Sequence, residues 1–253
     1  MQYLPNSRLL RTFAALLAFG VSFGYVEAAV VVYLRASYEP LHQRLYPDRS
    51  PTDLFPVILP QQLEAAGPEY VHRLYAELAR EAATLVMLAA VGLAVARNVR
   101  EWLAAFVVAF GVWDICFYFW LCVLIGWPAS LFDWDLLFLL PLPWVGPILA
   151  PTLVALAMIG AGTIVLLRES SGRPVRLGTG NWAATASGGL FVVIAFCWDW
   201  RNILSGGLPN PFHWPLFALG LGLGLSGLIH ALARTQRSVG VREWQIEQTP
   251  TCS

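Results

Sequence analysis

The chain contains no lysine: all sixteen of its basic residues are arginine. Chemistry that requires a lysine amine, such as a Schiff base to retinal or pyridoxal, or the ammonium of a phosphate-binding loop, is thereby excluded. Charge of either sign is sparse, 13% of 253 residues, and sums to zero with no basic block, so nothing recommends nucleic acid as a partner. Cysteine is equally scarce. Cys116, Cys122, Cys197 and Cys252 form no CxxC pair, which indicates neither a zinc knuckle nor a disulfide framework and leaves the thiols as apolar fillers. HExxH, HxxxH and nucleotide-binding loops are missing. Gly224-Leu225-Ser226-Gly227 has the spacing of a serine nucleophile motif. Its run "GLGLGLSG" produces that spacing by composition, however, and His230 lies four residues on along the same helix rather than opposite the serine.

What the chain has in abundance is apolar surface. With 57% hydrophobic residues it carries more than one soluble core of this size can bury, and the class is a polytopic helical membrane protein. Apolar runs of about twenty residues, the length that crosses roughly 30 Å of hydrocarbon, predict an all-α transmembrane bundle of six spans. These fall over about residues 11–34, 74–96, 101–125, 144–167, 182–200 and 213–233. They make a single membrane domain, 1–234, followed by a cytoplasmic tail, 235–253. The first run contains small residues around Val26-Glu27-Ala28 that resemble a cleavage site, but it stays apolar through Val32 and reads as an uncleaved span.

Ten arginines, among them Arg8, Arg11, Arg97, Arg100 and Arg168, fall on one side of this arrangement, and six on the other. Positive-inside bias then places both termini in the cytoplasm, most simply of a bacterial inner membrane. On the outer side lie a proline-broken amphipathic loop, residues 36–73, and the segment "GWPASLFDWDLLFLLPLP", too short to cross and expected to be interfacial or re-entrant. No internal repeat supports inverted halves.

Charged residues inside the spans carry the functional information. Glu27 lies sixteen residues from Arg11, and Glu81 sixteen from Arg97, or roughly 24 Å at the helical rise. Asp114 lies fourteen from Arg100, or roughly 21 Å. Three spans thus place a carboxyl in one layer of the outer half of the bilayer. Each costs about 2.5–3.5 kcal/mol if left in lipid at the helix centre, so the three are expected to face one another or a wet cavity. Glu77, Arg80, Glu81 and Thr84 follow i, i+3, i+4, i+7 spacing and share one face, where Arg80 can neutralise either acid. Gly111, Asp114 and Tyr118 share a face of the third span. Gly20 and Gly24 precede Glu27 at a spacing that admits a close helix neighbour.

Composition predicts about a quarter of one Trp-Asp dipeptide, yet there are three: Trp113-Asp114, Trp134-Asp135 and Trp198-Asp199. For Asp133, Asp135 and Asp199 an interfacial aromatic belt explains the pattern as well as a site does. Asp199, Arg201 and His213 are expected at the outer mouth. His230 is seventeen residues, roughly 25 Å, from His213, which argues against a bis-histidine haem. Pro147 and Pro151 in the fourth span are expected to kink it and free carbonyls.

Three functions fit these residues. The first is a transporter-like protein whose pocket, formed by Glu27, Glu81 and Asp114 and supported by Glu77, Arg80, Tyr118, Asp199 and Arg201, binds or relays a cation or protons. The second is a membrane metalloenzyme with Glu27, Glu81, Asp114 and His213 as ligands of a divalent metal. The third is an accessory or assembly subunit, in which Arg80 and Glu81 form a structural pair and a membrane-protein partner completes the complex. The lipid bilayer is a partner in all three.

Overall fold

A computed structural model of the chain describes residues 7–50 and 52–247, with side chains described as far as residue 233. The expected tail, 235–253, including Arg237, Arg242 and Cys252, therefore lies outside the described side chains.

Six helices are long and apolar enough to cross a membrane. They are α1 (Ser7–Leu45), α3 (Pro68–Val95), α4 (Val99–Ile125), α5 (Leu149–Ser170), α6 (Thr179–Cys197) and α8 (Trp214–Glu247), with short α2 (Pro60–Ala66) and α7 (Trp200–Leu204) between spans. Outward-facing positions such as Val86, Phe119, Val123, Leu190 and Ile229 are exposed and apolar, as lipid contact requires. The fold is an all-α bundle of six spans with one small β hairpin.

Local chemistry sets the helix ends. Asn98 caps α4 by accepting the Glu101 N–H at 3.0 Å, and Gly126 closes it in the left-handed region at φ 66°. Between α3 and α4 the Trp102 indole donates to the Ala89 carbonyl at 2.9 Å. Packing then follows the small residues. At Gly20 and Gly24 of α1 a side chain would collide with Val112, Trp113, Cys116 and Phe117, so α4 lies almost backbone to backbone against α1. Leu16, Leu88, Ala105, Val108 and Val112 fill the centre of the α1, α3, α4 group. The pair α6 and α8 packs through Gly188 and Gly220, and joins the rest around Ala150, Phe196 and Phe217.

One expectation gains detail and another changes. The segment before the fourth span is a β hairpin, β1 (Trp134–Phe138) paired antiparallel with β2 (Trp144–Pro147), with Asp135 opposite Gly146. β1 reads WDLLF, with Asp135 its one polar and one fully buried residue among half-buried apolar neighbours, so it lacks the regular alternation that identifies an ordinary strand. In consequence α5 begins at Leu149, after Pro147 and with Pro151 in its first turn, where a missing N–H breaks no ladder. The expected kink and freed carbonyls in the fourth span do not arise.

Candidate functional site

Counting along the helices places Glu27, Glu81 and Asp114 at one depth, and the fold brings all three to the wall of one cavity of about 90 Å³ between α1, α3, α4 and β1. Glu77 and Asp135 line it too, which makes five carboxyls, with Arg80 the one basic side chain on the wall. Four of the acids are almost sequestered: Glu27 is 4% exposed, Glu81 5%, Asp114 8% and Asp135 5%. A void of this size, lined by polar groups, has room for several waters.

The acids differ in how they are compensated. Arg80 on α3 pairs with Glu27 on α1 and takes both oxygens of Glu77, with Nε to Glu77 Oε2 at 2.9 Å. Glu27 Oε1 also accepts the Thr84 hydroxyl at 2.7 Å. The i, i+3, i+4, i+7 face of α3 thus does point inward, as its spacing predicts. Glu81, by contrast, makes no ion pair among the described residues. Both its oxygens accept the backbone N–H of Leu139 at 2.9 and 3.0 Å, and Oε2 also accepts that of Leu140 at 3.2 Å. These amides follow β1, so Glu81 pins the hairpin to α3.

Asp135 projects from β1 into the cavity and accepts the Tyr118 hydroxyl at 2.9 Å on Oδ2. Burial pushes its carboxyl above the ordinary carboxylate range, opposed by the charge of Arg35 and by hydrogen bonds from Tyr118 and the Leu136 N–H. Arg35 itself lies over the Trp127 ring, 4.0 Å from its centroid.

Asp114 stands apart. Its Oδ2 is buried without a hydrogen-bond partner among the described residues, as is the indole N–H of Trp113, and both residues line the cavity. A buried, unpartnered acceptor and donor at one small polar void mark where an occupant makes up the missing bonds.

The outer-mouth residues do not join them. His213 packs against Trp198 with ring centroids 4.4 Å apart and planes tilted by 51°, and is not on the cavity wall. Asp199 accepts the Asn210 N–H at 2.9 Å and both the Asn202 and Asn210 side-chain amides, which closes the turn after α7. Arg201 lies over the Trp200 ring. Among the described residues no three His, Cys, Asp or Glu side chains come together as a metal site would require, so the carboxylate-and-His213 ligand set is not assembled. Sequence reasoning undervalued Asp135 and missed Arg35. The excess of Trp-Asp pairs was the available signal for the former.

At the opposite end Arg8 donates to Glu101 at 2.9 Å and to the Val95 carbonyl at 2.9 Å, while Arg100 pairs with Glu169 at 2.5 Å. These contacts tie helix ends together, and Leu16, Leu88 and Val108 separate them from the cavity. Comparison of the chain with protein-family models, with curated proteins and with solved structures finds no match.

Proposed function

We propose that this chain is a transporter-like integral membrane protein that binds or relays a small cation or protons at the cavity between α1, α3, α4 and the hairpin. The observation that carries the proposal is Asp114: a carboxyl buried at mid-helix, unpartnered on Oδ2, in a void where five acids face one arginine. Such a place has a strongly negative potential, and intramembrane carboxyls of this kind mark ion paths and proton relays. The arginine-rich end, with Arg8, Arg97, Arg100 and Arg168, faces the cytoplasm in this proposal, of a bacterial inner membrane, and the cavity lies toward the outer side.

Flux into reconstituted vesicles tests it, with imposed proton and sodium gradients. Wild-type protein is expected to dissipate at least one of them and Asp114→Asn to lose the activity while melting as wild type does. If neither gradient collapses, or if the variant moves ions as fast as wild type, the proposal falls.

One observation favours a second reading, that of an assembly subunit: Glu81 spends both oxygens on the hairpin backbone, so part of the acid layer holds structure. A stable membrane partner retained through purification, with no flux, would support it.

A further inference from the structure

We infer that the occupant of the cavity is a proton, held at Asp114 and exchanged through water with the Asp135 and Tyr118 pair. The inference rests on the cation or proton reading of the cavity, and it deepens that reading by choosing between the two ions.

Donor accounting makes the choice. A hard metal cation takes about six oxygen ligands. Here Glu27 is engaged by Arg80 and Thr84, and Glu77 by Arg80 on both oxygens. Glu81 is engaged by two backbone amides, and Asp135 Oδ2 by Tyr118. Asp114 is the carboxyl left over. It is 8% exposed, and the groups facing it are Glu27, Glu77, Arg80, Glu81, Tyr118 and Asp135. One free carboxyl and part of another cannot replace a metal's hydration shell, but either can hold a proton.

The unpartnered indole of Trp113 points the same way. Its N–H needs an acceptor, and Asp114 Oδ2 needs a donor. Water supplies both, whereas a bare cation supplies neither. The transfer balances simply: the Asp114 O–H bond breaks, its proton passes to a water oxygen, and that water releases one of its own protons to an Asp135 carboxylate oxygen. Asp114 ends as the carboxylate and Asp135 as the acid. Arg35 offsets part of the cost of ionising Asp135, while Arg80 is already committed to Glu27 and Glu77. The shared proton therefore rests on Asp114.

Toward the arginine-rich end Leu16, Leu88, Val108 and Val112 belong to one buried apolar cluster and offer no polar group to carry a proton onward.

Infrared difference spectra of the full chain in lipid nanodiscs, acid minus alkaline, test the assignment. Wild type is expected to show the carbonyl stretch of a protonated carboxylic acid. The stretch should vanish in Asp114→Asn, move in Tyr118→Phe, and stay unchanged when sodium or calcium is added. Should Asp114→Asn fail to fold, Asp114→Glu, which keeps the acid on a longer arm, should move the band, and a band that stays in place there overturns the inference. A band that survives in Asp114→Asn, does not move in Tyr118→Phe, or disappears as sodium or calcium is added overturns the inference. The vesicle assay separates the two failures. Sodium flux without proton flux sinks the proton while the cation site stands; a band at Asp114 with no flux of either ion keeps the bound proton and removes transport.

Discussion

Tyr118 on α4 and Asp135 on β1 meet through a 2.9 Å hydrogen bond from the phenol to Oδ2, deep in the bundle. The bond attaches a loop element to a spanning helix. Tyr118→Phe removes the donor without changing shape and leaves a buried carboxyl short of a partner. A hydrogen bond to a charged or strongly polar group of this kind is worth about 1.5–3 kcal/mol. The variant should melt at lower temperature than wild type in the same detergent, and equal melting temperatures would show the bond to be idle.

Glu81 is expected to matter most to the hairpin. Replacing it with alanine takes the acceptor from the N–H groups of half-buried Leu139 and exposed Leu140. Because the loss is local, hydrogen exchange reads it better than melting does. Amides at residues 139 and 140 should exchange faster in Glu81→Ala, with those of α6 and α8 unaffected. Unchanged protection at 139 and 140 would mean that the hairpin is held by its aromatic contacts alone.

Asp135 gives stability a pH dependence of known sign. Burial raises its carboxyl above the ordinary value in the folded chain, so the folded state binds the proton more tightly than the unfolded state. Its contribution is fully present below about pH 4, the ordinary aspartate value, and is lost as pH rises from there through the raised folded value. Melting curves across that window for wild type and Asp135→Asn should diverge, wild type losing stability relative to the variant as pH rises. A difference that does not change with pH would refute the assignment.

Much of this was legible before any coordinates. Helical rise is fixed, so Glu27, Glu81 and Asp114 could be set at one depth by counting from the arginines, and 3.6-residue periodicity put Glu77, Arg80, Glu81 and Thr84 on one face. Gly20 and Gly24 signalled the close approach of α4. Counting fails where the backbone is not a helix. His213 lies just before α8, where the direction of the chain is set by the preceding turn, and it goes to Trp198 instead of the cavity. Asp135 was undervalued because WDLLF is too short to show a two-residue alternation that would tell which way it faces. Nor does a face say what a carboxyl's oxygens are bonded to: Glu81 and Asp114 look alike in sequence, yet one is fully engaged and the other has an oxygen left over.

The α6 and α8 contact should tolerate nothing larger than glycine at its centre. A Cβ at Gly188 would lie 2.5 Å from the Gly220 carbonyl oxygen and also collide with the Gly224 backbone. Gly188→Ala forces the helices apart, at about 1–3 kcal/mol for overpacking. Gly222 on α8 has no atom within 4 Å of the same position, so Gly222→Ala supplies the control and should melt at or above the wild-type temperature. Equal behaviour of the two variants would place the close contact elsewhere.

Arg80 neutralises two acids at once, which makes its removal costlier than the removal of either partner. Arg80→Met leaves buried Glu27 and half-buried Glu77 without a cation, and breaking a buried ion pair such as that at Glu27 typically costs about 3–5 kcal/mol. Glu77→Gln leaves Arg80 with Glu27 and should cost less. The triple variant Glu27→Gln, Glu77→Gln, Arg80→Met strands no ion, so it should recover most of the stability lost in Arg80→Met alone. Recovery is the discriminating measurement, because a side chain that served only as packing would give losses that add. Simple addition across the three substitutions would show that the cluster is not electrostatically coupled, and that the negative potential of the cavity is not set by Arg80.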